Sequence, residues 1–297
     1  MRHFLHIADF STKELKALLE KAVTLKKEWK KQGNKAILKG KVLGMLFEKP
    51  SLRTRVSFDM AMRHLGGDAL YLSPSEVGLG KRESTADVAR VLSRYVSAIM
   101  LRTFSHQNVL DLAKYATVPV INGLSEYNHP CQALADALTI LEHKGKLEGL
   151  KLVFVGDGNN VATSLAHLCQ RLGMQLTVCS PKGYELPLKV AKESGASQIT
   201  DPKKAVENAD VVYTDTWTSM GQEEEAQKRR RDFAMYTVDA ELLSRAKKDA
   251  IVMHCLPAHR GEEITDEVMD GPRSVVFDQA ENRIHAQKAI LAQLLTK

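Results

Sequence analysis

Ser51, Arg53, Thr54 and Arg55 crowd together in "EKPSLRTRVSF", directly after the apolar run 42–47. An apolar strand, a polar turn and an amphipathic helix, in that order, set a helix N-terminus at a strand end. Such a terminus offers unpaired N–H groups and the positive end of the helix dipole, which together bind phosphate. The hydroxyls of Ser51 and Thr54 add donors, and Arg53 adds a forked, charge-assisted pair. Arg55 is expected to serve structure. Taken alone, the segment also fits a capping serine followed by solvent-facing arginines. Two more polar turns lie in the same half: "IMLRTFSH" ends an apolar run on Arg102, and "YNHPCQALAD" sets His129 and Gln132 at a helix start. Each alone fits a surface ion pair or a cap. Three such turns in one half predict a shared pocket.

The second half carries a different set. "FVGDGNNVATSLAHL" begins like a dinucleotide fingerprint, but Val161 stands where the third glycine belongs. The following strand ends on Cys179 and Ser180, where a ribose-binding acid is wanted, so a nicotinamide cofactor is not expected. Asn159 and Asn160 read instead as amide donors at a helix start, suited to a carboxylate. "VVYTDTWTSMGQEEE" leaves a strand through Asp215 and reaches Ser219, Met220 and Gly221. A carboxylate and a hydroxyl on one glycine-ended loop can hold an ammonium group; an Asx turn leading into a charged helix is the plainer alternative. "VMHCLPAHRGEEI" offers His254, Cys255 and His259, without the paired spacing of a zinc site. A Cys–His hydrolase would need a supporting elbow that this turn lacks. Arg283 opens the last helix, where it can face the first half.

The elements that position these groups alternate. Apolar runs at 42–47, 98–101, 118–121, 152–155, 176–179, 211–213, 250–253 and 274–277 are separated by helical patterns such as 53–65, 85–95, 109–115 and 161–172. This predicts an α/β chain of two doubly wound domains, each a parallel sheet flanked by helices. The polar stretch "HKGKLEGLK" is the expected boundary, giving domains 1–142 and 143–297, with the helix 279–297 returning to the first. In such folds ligands sit beyond the carboxyl ends of the strands.

Composition narrows the class. Hydrophobic residues make up 44% and charged residues 26% of the 297, as in a globular protein, and no apolar run approaches membrane-spanning length. The start of the chain has no apolar signal core. Cys131, Cys169, Cys179 and Cys255 form no paired framework, which fits a reducing cytoplasm. The net charge of +6 suits an anionic ligand. The basic stretches "KKEWKKQGNK" and "QKRRRDF" lack interleaved aromatics, so they are read as solvated faces and not as a nucleic-acid surface.

"SLRTR", "LRT", "HPCQ", "GDGNN", "DTWTSMG", "HCLP" and "ENRIHAQKAIL", in this order over nearly the whole chain, resemble the aspartate/ornithine transcarbamylase family and, within it, the ornithine branch. The resemblance implies transfer of the carbamoyl group of carbamoyl phosphate to the δ-amine of L-ornithine, in arginine biosynthesis, with no cofactor and no metal. It implies a cytoplasmic homotrimer, or a multiple of trimers, with sites at subunit contacts and no nucleic-acid or membrane partner. Carbamoyl phosphate would meet Ser51, Leu52, Arg53, Thr54, Arg102, His129, Pro130, Cys131, Gln132, Cys255, Leu256 and Arg283. Of these, Arg102, His129, Thr54 and Cys255 would act on the reaction itself. Ornithine would meet Asn160, Asp215, Ser219 and Met220. One position departs: in the loop "SEVGLGKRES", which in the family reaches a neighbouring subunit's site, Gly78 stands where many ornithine enzymes carry Gln or His. Lys81 or Arg82 is the expected substitute.

Overall fold

The computed structural model describes residues 2–80 and 82–296. The chain divides into two compact units, Met1–Leu138 with Glu281–Lys297, and Thr139–Ala280. In the first, β1 (Val42–Phe47), β2 (Asp68–Leu72), β3 (Ala98–Arg102) and β4 (Val120–Leu124) form a parallel sheet in the order β2-β1-β3-β4. β3 and β4 are buried along their whole length, because helices cover both faces of the sheet. The chain runs outward from β1 to β2 and then returns to place β3 on the other side of β1. The turns after β1 and β3 therefore open at the point where strand order reverses, the usual ligand crevice of this architecture. The β3–β4 register shifts between Leu101 and Arg102. A bulge of this kind re-aims the side chain at its site, here Arg102.

In the second unit β5 (Lys151–Val155), β6 (Gln175–Cys179), β7 (Ser197–Ile199), β8 (Val211–Thr214) and β9 (Ile251–His254) are again parallel, ordered β7-β6-β5-β8-β9. The order reverses between β5 and β8, beside the turns that carry Asn159 and Asp215. Val153, Val155, Val212 and Val252 pack on Trp217, Phe233 and Tyr236 to form the core beneath those turns.

Three expectations need correction. The run 274–277 is not a strand: Ser274 makes one bridge to Val252, and Val276 already begins the helix Val276–Leu295. β2 and β7 were not expected: both are edge strands with largely uncovered side chains, β7 (SQI) lacks an apolar run, and the run 69–72 in β2 follows the Gly66-Gly67 turn without a preceding strand signal. The two basic stretches are not wholly solvated. Lys26, on the helix Thr12–Gln32, is buried and donates to Asn282 Oδ1 at 2.8 Å, and Arg229 is buried as described below. Residues 281–296, with Ala289, Ile290 and Leu291 buried, belong to the first unit. Among the described residues, no helix is long and apolar enough to cross a membrane.

Candidate functional site

The first unit gathers its polar turns on one hydroxyl. Ser51 caps the helix Leu52–His64, its Oγ accepting from the Thr54 N–H at 3.3 Å. Thr54 Oγ1 is buried and accepts from Arg102 Nη1 at 3.3 Å and from Arg283 Nη2 at 3.2 Å. Arg283 Nη1 donates to Gln132 Oε1 at 2.6 Å, and Gln132 Nε2 donates to Asp136 Oδ1 at 2.8 Å. His129 is buried one residue before the helix Pro130–Lys144; burial, then Arg283, Arg102 and Lys49, hold its pKa well below the ordinary value. His129 is therefore a neutral imidazole with one N–H to donate. Leu52 is exposed, so only its backbone faces the helix start. Arg53 is half-buried. Cys131 donates its thiol to Asn122 O at 3.4 Å, and burial pushes its pKa up to about 12, which makes it unreactive. Arg55 stacks on Tyr71 at 4.0 Å, the structural role expected of it.

Lys49 was missed. It is buried, its ammonium lies 4.4 Å from the centre of the Phe104 ring, and burial, then Arg102, lower its pKa to about 8. The available signal was a lysine between an apolar strand and a helix cap, where a charge has little access to water.

In the second unit the two asparagines have different situations. Asn159 is the cap of the helix Asn160–Leu172: its Oδ1 accepts from Val161 and Ala162 N–H at 2.9 and 3.1 Å, and its Nδ2 donates to Asp215 Oδ2 at 2.9 Å. Asn160 is the first residue of the helix and is half-buried. Asp215 is buried, and its Oδ1 also accepts from Cys255 Sγ at 3.0 Å and from the Thr216 N–H at 2.9 Å. Asp215, Asn159 and Cys255 thus form one cluster at the ends of β5, β8 and β9. The loop beyond is closed on itself by the Ser219 N–H to Gln222 Oε1 at 3.1 Å, with Met220 exposed.

Arg229 ties the charged segment to this cluster. It donates to Asp157 Oδ2 at 2.7 Å, to Trp217 O at 3.0 Å and to Glu225 Oε2 at 3.0 Å. Burial raises the Asp157 pKa, and the Arg229 bond opposes that rise.

The same local geometry bears on two alternatives. A Cβ on Gly158 would overlap the backbone at Glu185 and Leu186, and the Gly158 N–H already donates to Tyr184 O at 2.8 Å. The second glycine serves this close approach of the chain at 184–186. For the metal alternative, His254 Nδ1 accepts from the Leu256 N–H and Nε2 faces Glu263, while among the described residues Asp215, His254 and Cys255, and separately His259, Glu262 and Glu263, lie close enough to share an ion.

In the loop at 75–84, Gly78 ends the short helix Pro74–Val77 with φ +53°, and a Cβ there would meet Arg82 Cβ at 2.8 Å. Arg82 Nη1 reaches back to Glu76 O at 3.4 Å. Lys81 lies outside the described residues.

A parallel sheet whose switch point gathers arginines around a helix start, joined in one chain to a second whose switch point holds a carboxylate–amide cluster, defines a two-domain α/β protein with an anion site in one unit and a carboxylate–amide cluster in the other. The family model described as aspartate/ornithine carbamoyltransferase, carbamoyl-P binding domain, matches residues 2–142. The one described as the Asp/Orn binding domain matches residues 148–294. The chain belongs to the aspartate/ornithine carbamoyltransferase family. It is 56% identical to the ornithine carbamoyltransferase of Pyrococcus abyssi, over 99% of this chain and 96% of that one. It is 55% identical to the anabolic ornithine carbamoyltransferase of Pyrococcus furiosus over the same shares. Among solved structures, that of ornithine carbamoyltransferase from Pyrococcus furiosus superposes with a TM-score of 0.96, covering 99% of this chain and 97% of that one at 55% identity. The enzyme from Thermus thermophilus gives 0.92 at 48% identity, over 98% of each chain.

Proposed function

We propose that this chain transfers the carbamoyl group of carbamoyl phosphate to the δ-amine of L-ornithine, giving L-citrulline and phosphate in the biosynthetic direction. The observation that carries the reading is the meeting of Arg102 and Arg283 on the Thr54 hydroxyl at a helix N-terminus. Two guanidinium groups within reach of one atom repel each other, and an anion bound there relieves the repulsion. Relatives of 53–56% identity that carry the ornithine carbamoyltransferase name support the choice of acceptor.

In this reading Ser51, Arg53, Thr54 and the Leu52 backbone hold the phosphate, joined by Arg283. Arg102, His129 and Thr54 donate to the carbonyl oxygen, and Gln132, gripped between Arg283 and Asp136, orients the carbamoyl amide. Pro130 and Cys131 shape the helix start. In the second unit Asn160 takes the ornithine carboxylate, Asp215 and Ser219 the α-ammonium, and Met220 contributes backbone. Asp215 has capacity for this, since a carboxylate has about four lone-pair sites. Cys255 and Leu256 offer backbone carbonyls to the attacking amine.

The chemistry follows from charge. Attack of the neutral amine on the carbonyl makes an oxyanion, and each well-aimed donor to it is worth roughly 3–4 kcal/mol. An alkyl ammonium loses its proton near pH ~10.4 by analogy with lysine, so deprotonation must precede attack. The departing phosphate accepts a proton afterwards. We further propose a cytoplasmic homotrimer or a multiple of it, on the family resemblance.

The test is citrulline formation with ornithine, aspartate, putrescine and N-acetylornithine as parallel acceptors. Turnover with ornithine alone, abolished in Arg53→Ala, is the expected result. Turnover only with another acceptor would retain the anion site and overturn the reading of the second unit.

A further inference from the structure

We propose that His254 is a positioning residue, held by Glu263 in the tautomer that accepts the Leu256 N–H and thereby aims the Cys255 carbonyl. The inference rests on the transfer reading above. β9 ends at His254, and the chain turns at once. Leu256 takes φ +61°, a left-handed conformation that residues with a side chain rarely adopt. Such a residue persists only where its surroundings over-determine it.

The surroundings here are specific. The Leu256 N–H donates to His254 Nδ1 at 2.8 Å. An amide N–H can only donate, so Nδ1 presents its lone pair and the ring proton of the neutral imidazole sits on Nε2. Nε2 lies 3.0 Å from Glu263 Oε1, and both side chains are fully buried. Glu263 Oε1 also accepts from the His259 N–H at 2.6 Å. The strand end is pinned from the other side: the His254 N–H donates to Gln279 Oε1 at 2.9 Å, and Gln279 Nε2 donates to the Tyr213 hydroxyl at 3.0 Å.

Because the peptide is planar and trans, fixing the Leu256 N–H fixes the Cys255 carbonyl in the opposite direction. The chain of bonds from Glu263 through His254 to Leu256 thus turns a buried carboxylate into the orientation of a peptide unit. With the proton on Nδ1 instead, two donors would face each other and the turn would lose this brace.

The test combines a spectrum with paired substitutions in the full chain. The nitrogen-15 spectrum of the imidazoles, with His254 assigned by the signal missing in His254→Asn, is expected to place the His254 proton on Nε2; a proton on Nδ1 overturns the proposal. Asparagine carries its carboxamide oxygen near Nδ1, so His254→Asn should keep kcat within about threefold, while His254→Gln should lower it about 10–100-fold with the KM for carbamoyl phosphate unchanged. Glu263→Gln retains an acceptor and should resemble the unmodified chain, whereas Glu263→Ala should resemble His254→Gln. Equal kcat within either pair overturns the proposal. Should His254→Gln fail to fold, the Glu263 pair and the spectrum still decide. Absence of citrulline formation by the unmodified chain would instead sink the transfer reading, and leaves the tautomer result to stand or fall by itself.

Discussion

Arg283 and Thr54, 229 positions apart in the chain, meet through a guanidinium–hydroxyl hydrogen bond of 3.2 Å. The same guanidinium holds Gln132 through its other terminal nitrogen. Only a planar fork spans both partners, so a lysine cannot replace it. Arg283→Lys should raise the KM for carbamoyl phosphate roughly 10–150-fold, from one lost charge-assisted hydrogen bond of about 1.5–3 kcal/mol. Initial rates at saturating ornithine provide the measurement, and an unchanged KM would remove Arg283 from the anion site.

Lys49 should give the anion site a pH dependence. Burial moves its pKa from the ordinary 10.5 to about 8. It is charged and attractive to an anion below about pH 8, and neutral above. The KM ratio of Lys49→Gln to the unmodified chain cancels the ligand's own titration; it should be about ten at pH 7 and approach one by pH 9. The linked stability effect has the opposite sense. Between about pH 8 and 10.5 the unfolded chain holds more protons than the folded one, so this group makes stability rise with pH across that window. A KM ratio that stays level from pH 7 to 9 would refute the role.

The Arg229–Asp157 pair should matter for both folding and ornithine. Its side chains are 7% and 14% exposed, so removing the cation leaves a carboxylate in a poorly solvated place. Arg229→Met should destabilise the chain by roughly 3–5 kcal/mol, and Asp157→Asn in the same chain should recover part of that loss. Because Arg229 also holds Trp217 O in the loop after β8, the ornithine KM should rise while the KM for carbamoyl phosphate stays put. Urea unfolding and steady-state kinetics separate the two effects; equal changes in both KM values would contradict the local tie.

Gly78 should resist the Gln that the family resemblance suggests. Placing a side chain at φ +53° costs roughly 1–2 kcal/mol, before the Cβ is pressed against Arg82 Cβ. Gly78→Gln should therefore lower the melting temperature without raising citrulline output. A gain in kcat would show that the loop tolerates the residue and lacks its function.

Where the sequence was legible, a local rule and the tertiary outcome agreed. The Ser51 cap, the strands that end at Phe47 and Arg102, and both parallel sheets follow from apolar runs, helix starts and alternation. What was not legible depended on partners far along the chain. Arg229 looks like one charge in a basic run until Asp157 and Trp217 O are placed beside it. Asn159 and Asn160 are adjacent and chemically identical, and only the cap geometry assigns the first to the helix and to Asp215. The run 274–277 has a strand's composition, yet Ser274 finds one bridge and Val276 is already helical.

The last helix also bears on the order in which the molecule can be made. Residues 281–296 complete the unit that begins at the N-terminus, and they carry Arg283 along with the buried Ala289, Ile290 and Leu291. A ribosome delivers all of Thr139–Ala280 before it delivers these. The second unit can close its core while the first still waits for its final helix. A nascent chain stopped at residue 280 would carry the Ser51–Thr54 turn without Arg283, so on the function proposed above the anion site would be assembled only after the last helix is made.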